Sequence, residues 1–543
     1  MSAALYDRII IGAGSAGCVL AHRLSADPAC RVLLLEAGRE PPLASRIPSD
    51  WPTMFNTRVD WGYHTEPQAG CRGRRIFWPR GKMLGGSGSL NAMIYIRGVA
   101  SDYDGWAAQG CPEWGWAQVL PAFLASEDNA RHPAGPHHGQ GGPLPVGEAP
   151  YRDPLEEAWL AAARAAGLPA NDDFNGPEQE GVGFFQLTVR QGERHGTAAA
   201  YLRPALARPN LALEAGVTVT RLLLEGHRVR GVEYLREGRP CRAMADQAVV
   251  LAAGAIGSPH LLMLSGIGPA DALRAAGVTP RHDLPGVGQN LQDHINIPVC
   301  FHMEERRGIG AMTEAELEAS LARWQATRDG PRSSPWVAAG GFARTRPGLV
   351  APDIQLYGAA SAHQDYGRHL ATRPGMTLHA TLQRPNSRGE IRLRSADPLE
   401  APAIDPRYFS SDPSGEDLAT LAEGIALNRR IAAQAPLSGL LTREAGPGAD
   451  CRDAAELRAF IRGHCTTLYH PAGTCRMGRD ALAVVEPDTM RLRGLEGLYV
   501  ADASVFPVMV SGNTNAPTIM VAERAAAMIA GAGVGAPLPA GAV

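Results

Sequence analysis

One short glycine-rich segment constrains this chain more than any other. Gly12-Ala13-Gly14-Ser15-Ala16-Gly17 stands between an apolar run, Tyr6 to Ile11, and the helical pattern CVLAHRLS. A second apolar run, Arg31 to Leu35, follows and ends in Glu36. Strand, tight turn, helix and strand within this span predict a dinucleotide site. Gly12 permits the turn, Gly14 lets backbone approach a pyrophosphate, and Gly17 lets the helix pack close to the strand. The helix N-terminus offers N–H groups and roughly half a unit of positive charge to the phosphates. Glu36 lies nineteen residues after Gly17, where a carboxylate can accept hydrogen bonds from a ribose diol. An acid at this position argues against a 2′-phosphate, and hence against NADP, without separating FAD from NAD.

The length of 543 residues, 45% of them apolar, exceeds one ordinary domain and allows a large core. A net charge of -3 gives no electrostatic case for nucleic acid or an anionic membrane. The opening MSAALYD runs straight into a buried-strand pattern, so no signal peptide is expected. No apolar stretch is long enough to predict a membrane span. The nine cysteines have no repeating spacing, which fits a reducing, cytoplasmic setting. Among 52 basic residues Lys82 is the single lysine, and it lies inside a glycine-rich motif. It marks either a site where arginine does not substitute or a chance survivor of compositional bias.

Two further segments narrow the ligand. Residues 80–98, RGKMLGGSGSLNAMIYIRG, crowd Gly81, Gly85, Gly86 and Gly88 together with Ser87 and Ser89. Such a segment can lay backbone N–H groups against a flat ligand or a phosphate. Residues 254–268, GAIGSPHLLMLSGIG, follow a strand from Ala248 to Ala252, and Ser258-Pro259 opens a helix. With these motifs the chain resembles the glucose–methanol–choline (GMC) oxidoreductases, FAD-dependent alcohol oxidases and dehydrogenases. GKMLGGSGSLN is similar to the family's first signature and GAIGSPHLLMLSGIG to its second. PGVGQNLQDH at 285–294, YHPAGTCRMG at 469–478 and the closing LYVADASVFP and SGNTNAPTIMVAERAA also match, in order and over nearly the whole chain. The likeness is greatest to bacterial choline-dehydrogenase-like alcohol dehydrogenases.

The resemblance implies one FAD. Gly12, Gly14, Ser15, Ala16, Gly17, Glu36 and Ala37 would hold its ADP half. Met83, Gly86, Asn91, Ala92, Met93 and Ile94 would line the flavin and pyrophosphate. Val219 would reach the adenine side, and Asp502 and Ala503 would return to the pyrophosphate and flavin. Some choline-oxidising members attach FAD through a His just before the signature Asn. Leu90 occupies that position here, so non-covalent FAD is expected.

The resemblance also makes His470, within Tyr469-His470-Pro471, the catalytic base, and matches Asn515 to the second catalytic position. Hydride leaves an alcohol carbon, towards flavin N5, only as the hydroxyl gives up its proton. A neutral imidazole with a pKa near ~6.5 suits that task. Asn515 would orient the hydroxyl and stabilise alkoxide charge. Asn513 lies two residues away, and only the family match prefers Asn515. The substrate is expected to be a small, primary alcohol, and the acceptor O2, a quinone or a redox protein. Oxidase and dehydrogenase are not separated, and a lyase or decarboxylase on the same scaffold is the other reading. No metal is expected, because His464, Cys465, His470 and Cys475 lack zinc-site spacing. Trp336, Phe342 and Tyr469 are either pocket walls or ordinary core.

The dispersed motifs predict an α/β fold. A Rossmann-like FAD-binding domain (residues 1–40, 80–100, 190–300 and 460–535) interleaves with an α+β substrate-binding domain (101–189 and 301–459). The latter is expected to be a β-sheet covered by helices. Residues 211–252 alternate in polarity and predict a β-ribbon returning to the Rossmann sheet. Residues 41–79 read as an irregular segment able to act as a lid. Residues 131–147 read as an exposed loop, and the tail from Gly531 reads as frayed.

Overall fold

Strand Ala4–Ile11 lies at the centre of a seven-stranded sheet in a computed structural model that describes residues 4–363 and 374–531. The tail beyond Gly531 is outside the described residues. Ala4–Ile11 pairs in parallel with Val32–Glu36 on one side and Arg239–Leu251 on the other. Leu211–Ala215 extends the sheet beyond Val32–Glu36, and Leu498–Val500 pairs in parallel with the end of Arg239–Leu251. Ile9, Ile10 and Ile11 and all of Val32–Glu36 are buried. That is the continuous apolar pattern a parallel strand needs when both sheet faces are covered. Val217–Glu225, Arg228–Arg236 and Arg239–Leu251 form the antiparallel ribbon read from the alternation.

Helix Ser15–Leu24 follows the glycine turn and packs on helix Asn515–Ile529. A buried ion pair, Arg23 Nε to Glu523 Oε2 at 2.7 Å, crosses between them, and the Tyr201 hydroxyl donates to Glu523 Oε1 at 2.8 Å. The hydroxyl satisfies a carboxylate that would be costly to bury with fewer partners.

The second sheet is antiparallel. Its strand order is Leu441–Gly446, Ile295–Met303, Gly375–Leu382, Ile354–Ala359, Ala339–Ala343 and Gly181–Phe184, with Thr466–Thr467 also on Ile295–Met303. Strand alternation divides its faces. A Cβ on Gly358 would meet the Trp159 ring at 2.5 Å, and one on Gly424 would meet Ala380 at 2.6 Å. Helices Pro154–Ala165 and Glu416–Ala432 therefore cover the Leu356, Gly358 and Ala380 face. The other face carries Asn296, Gln355, Tyr357, His379 and Thr381, all buried. Ile295–Met303 and Thr466–Thr467 belong to this sheet although the motif spacing placed residues 190–300 and 460–535 with the Rossmann-like unit. Strand pairing, which no local motif encodes, draws them across.

Residues 41–79 contain helix Leu43–Arg46, a 3₁₀ segment Pro48–Met54 and a small ladder between Tyr63–His64 and Phe77–Trp78. Trp51, Met54, Phe55 and Trp78 are buried. Only residues 131–137 and 140–141 of the segment 131–147 form the mostly exposed loop; His138, Gly139 and 144–147 are buried, with Leu144–Val146 a strand, because that end pairs with Glu127–Asn129. Among the described residues no helix is long and apolar enough to cross a membrane.

Candidate active site

The glycine turn is built by contacts that exclude side chains. Gly12 has φ +97°, and a Cβ there would lie 2.7 Å from the Ala252 carbonyl oxygen. A Cβ on Gly17 would lie 1.7 Å from the Gly12 carbonyl oxygen, so any larger residue would push the helix off the strand. Gly86, at φ +53°, meets the turn from the opposite side, and its Cβ would lie 2.8 Å from Gly14 Cα. Two bare backbones thus face one cavity of about 620 Å³ that runs between the two sheets.

The lining fits FAD. Gly12, Gly14, Ser15, Ala16, Glu36, Ala37, Gly86, Asn91, Ala92, Met93, Ile94, Val219, Asp502 and Ala503 all border the cavity, with Ala253 to Gly257 from the second signature. Gly14 leaves room in front of the helix N-terminus: a Cβ there would meet nothing nearer than 4.0 Å. Gly17 and Met83 do not border the cavity. Gly17 acts through packing. Met83 is fully buried, and its backbone bridges to Arg39. Glu36 is committed on both oxygens: Ala13 N–H donates to Oε2 and Gly38 N–H to Oε1, each at 2.7 Å. A carboxylate has about four acceptor sites, so it can still receive a ribose hydroxyl. Asp502 similarly accepts from Gly254 N–H, Ser258 Oγ and Ser504 N–H at 2.6–2.8 Å, tying the second signature to the closing strand.

His470 stands at the far end of the cavity, held from both sides. Its N–H donates to Asp293 Oδ1 at 2.8 Å, and the Tyr408 hydroxyl donates to Asp293 Oδ2. Burial pushes the Asp293 carboxyl up to about 6 against the hydrogen bonds it accepts and the nearby Arg80. Tyr469, just before His470, has φ +69°, and Arg80 donates to its carbonyl. The imidazole Nδ1 of His470 lies 2.8 Å from His294 Nδ1, and His294 Nε2 lies 3.2 Å from the Gln383 carbonyl oxygen. A carbonyl only accepts, so His294 carries its proton on Nε2 and receives one from His470 Nδ1–H. Burial holds His294 down at about 4, hence singly protonated. His470 Nε2 is left with its lone pair. Burial, His294 and Arg80 hold His470 well below the ordinary imidazole range, in the neutral form.

Asn513 faces that lone pair. Its Nδ2 lies 3.4 Å from His470 Nε2 and 3.4 Å from the Tyr357 hydroxyl, while Gln355 Nε2 donates to its Oδ1 at 3.1 Å. The expected partner, Asn515, borders the same cavity but does not pair with His470. It opens helix Asn515–Ile529, and its Oδ1 accepts from Ser15 Oγ at 2.6 Å. The reason is the two-residue offset across the helix start, which aims Asn513 at His470 and Asn515 at the glycine turn.

Several residues of the site were not singled out from the sequence. Asp293 and His294 end the PGVGQNLQDH motif, which was legible, but their contact with His470 was not. Arg194 is buried and donates to Asn91 Oδ1 at 2.7 Å, Asn91 O at 2.6 Å and Ser45 O at 2.6 Å, pinning the first signature; burial lowers its pKa to about 9. Trp336 and Tyr469 border the cavity, whereas Phe342 is core, packed on Phe174. Lys82 borders the cavity, with Nζ 4.5 Å from the Trp61 ring.

Sequence comparison agrees with this geometry. The GMC oxidoreductase N-terminal profile matches residues 6–296 and the C-terminal one residues 385–522. The chain is 43% identical to human mitochondrial choline dehydrogenase over 97% of its own length and 90% of that protein. It is 41% identical to an alcohol dehydrogenase [acceptor] of Pseudomonas putida, over 97% and 96% of the two chains. Crystalline pyridoxine 4-oxidase from Mesorbium loti superposes with a TM-score of 0.86 at 36% identity, covering 96% of this chain and 98% of the other. A cradle shaped for FAD, a buried imidazole at its end and these matches across both halves establish that the chain belongs to the GMC oxidoreductase family, the FAD-dependent oxidoreductases of CH–OH donors.

Proposed function

We propose that the protein oxidises a small primary alcohol to its aldehyde, with His470 Nε2 as the base that takes the hydroxyl proton. The observation that carries this reading is the His294–His470 contact, which leaves the lone pair at Nε2 beside Asn513. FAD, when bound, supplies the hydride acceptor. Asn513, rather than Asn515, would donate from Nδ2 to the substrate oxygen and stabilise its developing negative charge. Tyr357 and Gln355 hold that amide in place. Trp51 and Trp336, stacked with centroids 5.3 Å apart, wall the cavity and suit an alcohol with an apolar body. Leu90, also on the cavity wall, supports non-covalent FAD. All nine cysteines are free, which supports a reducing, cytoplasmic location.

The test is anaerobic mixing of the purified protein with a panel of primary alcohols while flavin absorbance is followed. Wild type should bleach, and His470→Ala should bleach about 10²–10⁴-fold more slowly. Equal rates in the two proteins would remove His470 as the base. Reoxidation with O2, set against a quinone or dye, then identifies the acceptor class.

A further inference from the structure

We propose that His132, His138 and Asp173 form a binding site for one divalent transition-metal ion of the zinc class, outside the cavity that would hold FAD. The ligand atoms of these three residues lie within 4.8 Å of one another. They come from two separate chain segments that no local motif joins. The two imidazoles stack with centroids 4.4 Å apart and planes 18° from parallel.

The hydrogen bonds around His138 fix which nitrogen could take an ion. Asn129 Nδ2 has two hydrogens, and Glu127 Oε1 at 2.9 Å and Gln186 Oε1 at 3.1 Å accept them. His138 Nδ1 therefore has Glu127 Oε1, at 3.4 Å, as the acceptor for its own N–H. A carboxylate behind a histidine in this way sets the tautomer that metal-bound imidazoles need, with Nε2 outward. His138 Nε2 faces Asp173 Oδ2 at 2.8 Å. A bare lone pair does not sit against a carboxylate oxygen, so a cation occupies this contact, either a proton or a metal ion. Glu127 itself is balanced by the buried Arg97, with Nη2 2.6 Å from Oε2, so the cation at the His138 contact is the one that answers the charge of Asp173.

His132 separates the two cases. Its Nε2 is buried yet has no hydrogen-bond partner among the described residues. A His138–Asp173 ion pair alone gives that atom nothing to do, whereas a metal ion would use it. Ligand atoms on one tetrahedral zinc stand about 3.4 Å apart, so closure asks for a contraction of at most about 1.4 Å and for one imidazole to turn out of the stack, because the in-plane lone pairs of near-parallel rings do not converge. Two imidazoles and one carboxylate oxygen suit zinc, with water as the fourth ligand. Such an ion would fasten residues 131–138 to the turn at Asp173. That turn leads to Asn175, whose Oδ1 accepts from Arg97 N–H at 2.9 Å, three residues beyond Ile94 on the cavity wall.

The experiment uses the untagged, FAD-loaded chain, stripped with EDTA and dialysed against zinc chloride or cobalt chloride. Metal content is read by mass spectrometry, cobalt coordination by its d–d band, and stability by thermal melting. Wild type should retain one zinc per chain, show the cobalt band and melt several degrees higher with zinc. His132→Ala should bind zinc at least tenfold more weakly and lose the thermal shift while keeping its FAD. That variant loses the ring stacked on His138 but keeps the backbone N–H of residue 132 on Asn129 Oδ1, and its retained FAD and cooperative melting report an intact fold. Asp173→Asn should do the same, and His137→Ala, beside the cluster, should behave as wild type. A wild type that retains no zinc and shows no cobalt band overturns the proposal, as does a His132→Ala protein with unchanged zinc affinity.

Discussion

His294 presents Nδ1 to Nδ1 of His470 at 2.8 Å, and this contact leaves Nε2 as the His470 nitrogen with a free lone pair. Two neutral imidazoles can share that contact only as donor and acceptor. The Gln383 carbonyl assigns the roles from the far side of the pair. In the proposed reaction His294 would thus be a positioning residue acting through His470.

His294→Ala should keep FAD but slow flavin reduction about 10–100-fold, the cost typical of losing an outer partner that orients an imidazole. His294→Gln should recover part of the rate, because its amide oxygen can again accept from His470 Nδ1–H. Stopped-flow reduction of both variants checks this. No difference between Gln and Ala would show that the tautomer is not set by this contact.

Asn513→Ala should lower the reduction rate about 10²-fold, in the range of other lost oxyanion donors, without removing its pH dependence, since an amide does not titrate. Asn515→Ala should have a smaller effect on reduction and act on FAD retention instead, through the lost Ser15 contact. Measuring both rates and both FAD affinities distinguishes the two asparagines. A silent Asn513→Ala beside a slow Asn515→Ala would reverse the assignment.

The acid limb of flavin reduction should lie below the ordinary imidazole value of about 6.5. The sign follows from burial, which favours the uncharged ring of His470, aided by His294 and Arg80. The active form is the neutral one, so the rate should hold steady as pH falls through 6.5 and decline only in more acid solution. A midpoint above about 7 in the pH profile of the reduction rate would contradict this order.

Glu36→Ala should weaken FAD binding about 10- to 150-fold, the value of roughly 1.5–3 kcal/mol for a hydrogen bond to a charged group. It should also lower the melting temperature of the apoprotein, because Ala13 and Gly38 N–H lose their acceptor. Titration of FAD into each apoprotein measures the first effect and thermal melting the second. Equal dissociation constants would reject the ribose role.

The sequence by itself determined the nucleotide-binding end of this protein. Gly12, Gly14, Gly17 and Glu36 lie in one continuous stretch, and their spacing encodes strand, turn and helix through local sterics alone. The same holds for the ribbon at 217–251, where alternation of polarity is a property of neighbouring residues, although the same pattern also took in Leu211–Ala215, which pairs in parallel with Val32–Glu36 instead. His470 was singled out by the family resemblance of the local motif YHPAGTCRMG, within which Pro and Gly shape the turn around it. What tertiary structure decided is the company these residues keep. Asn513 and Asn515 read alike in SGNTNAP, and only the start of helix Asn515–Ile529 turns one towards His470 and the other towards Ser15. His294, 176 residues from His470, and His132 with Asp173 meet only because strands and loops far apart in the chain pack together. Local spacing carries backbone conformation, which is set within a few residues. The partner of a buried imidazole is set by which segments fold against each other, and no single stretch of sequence holds that information.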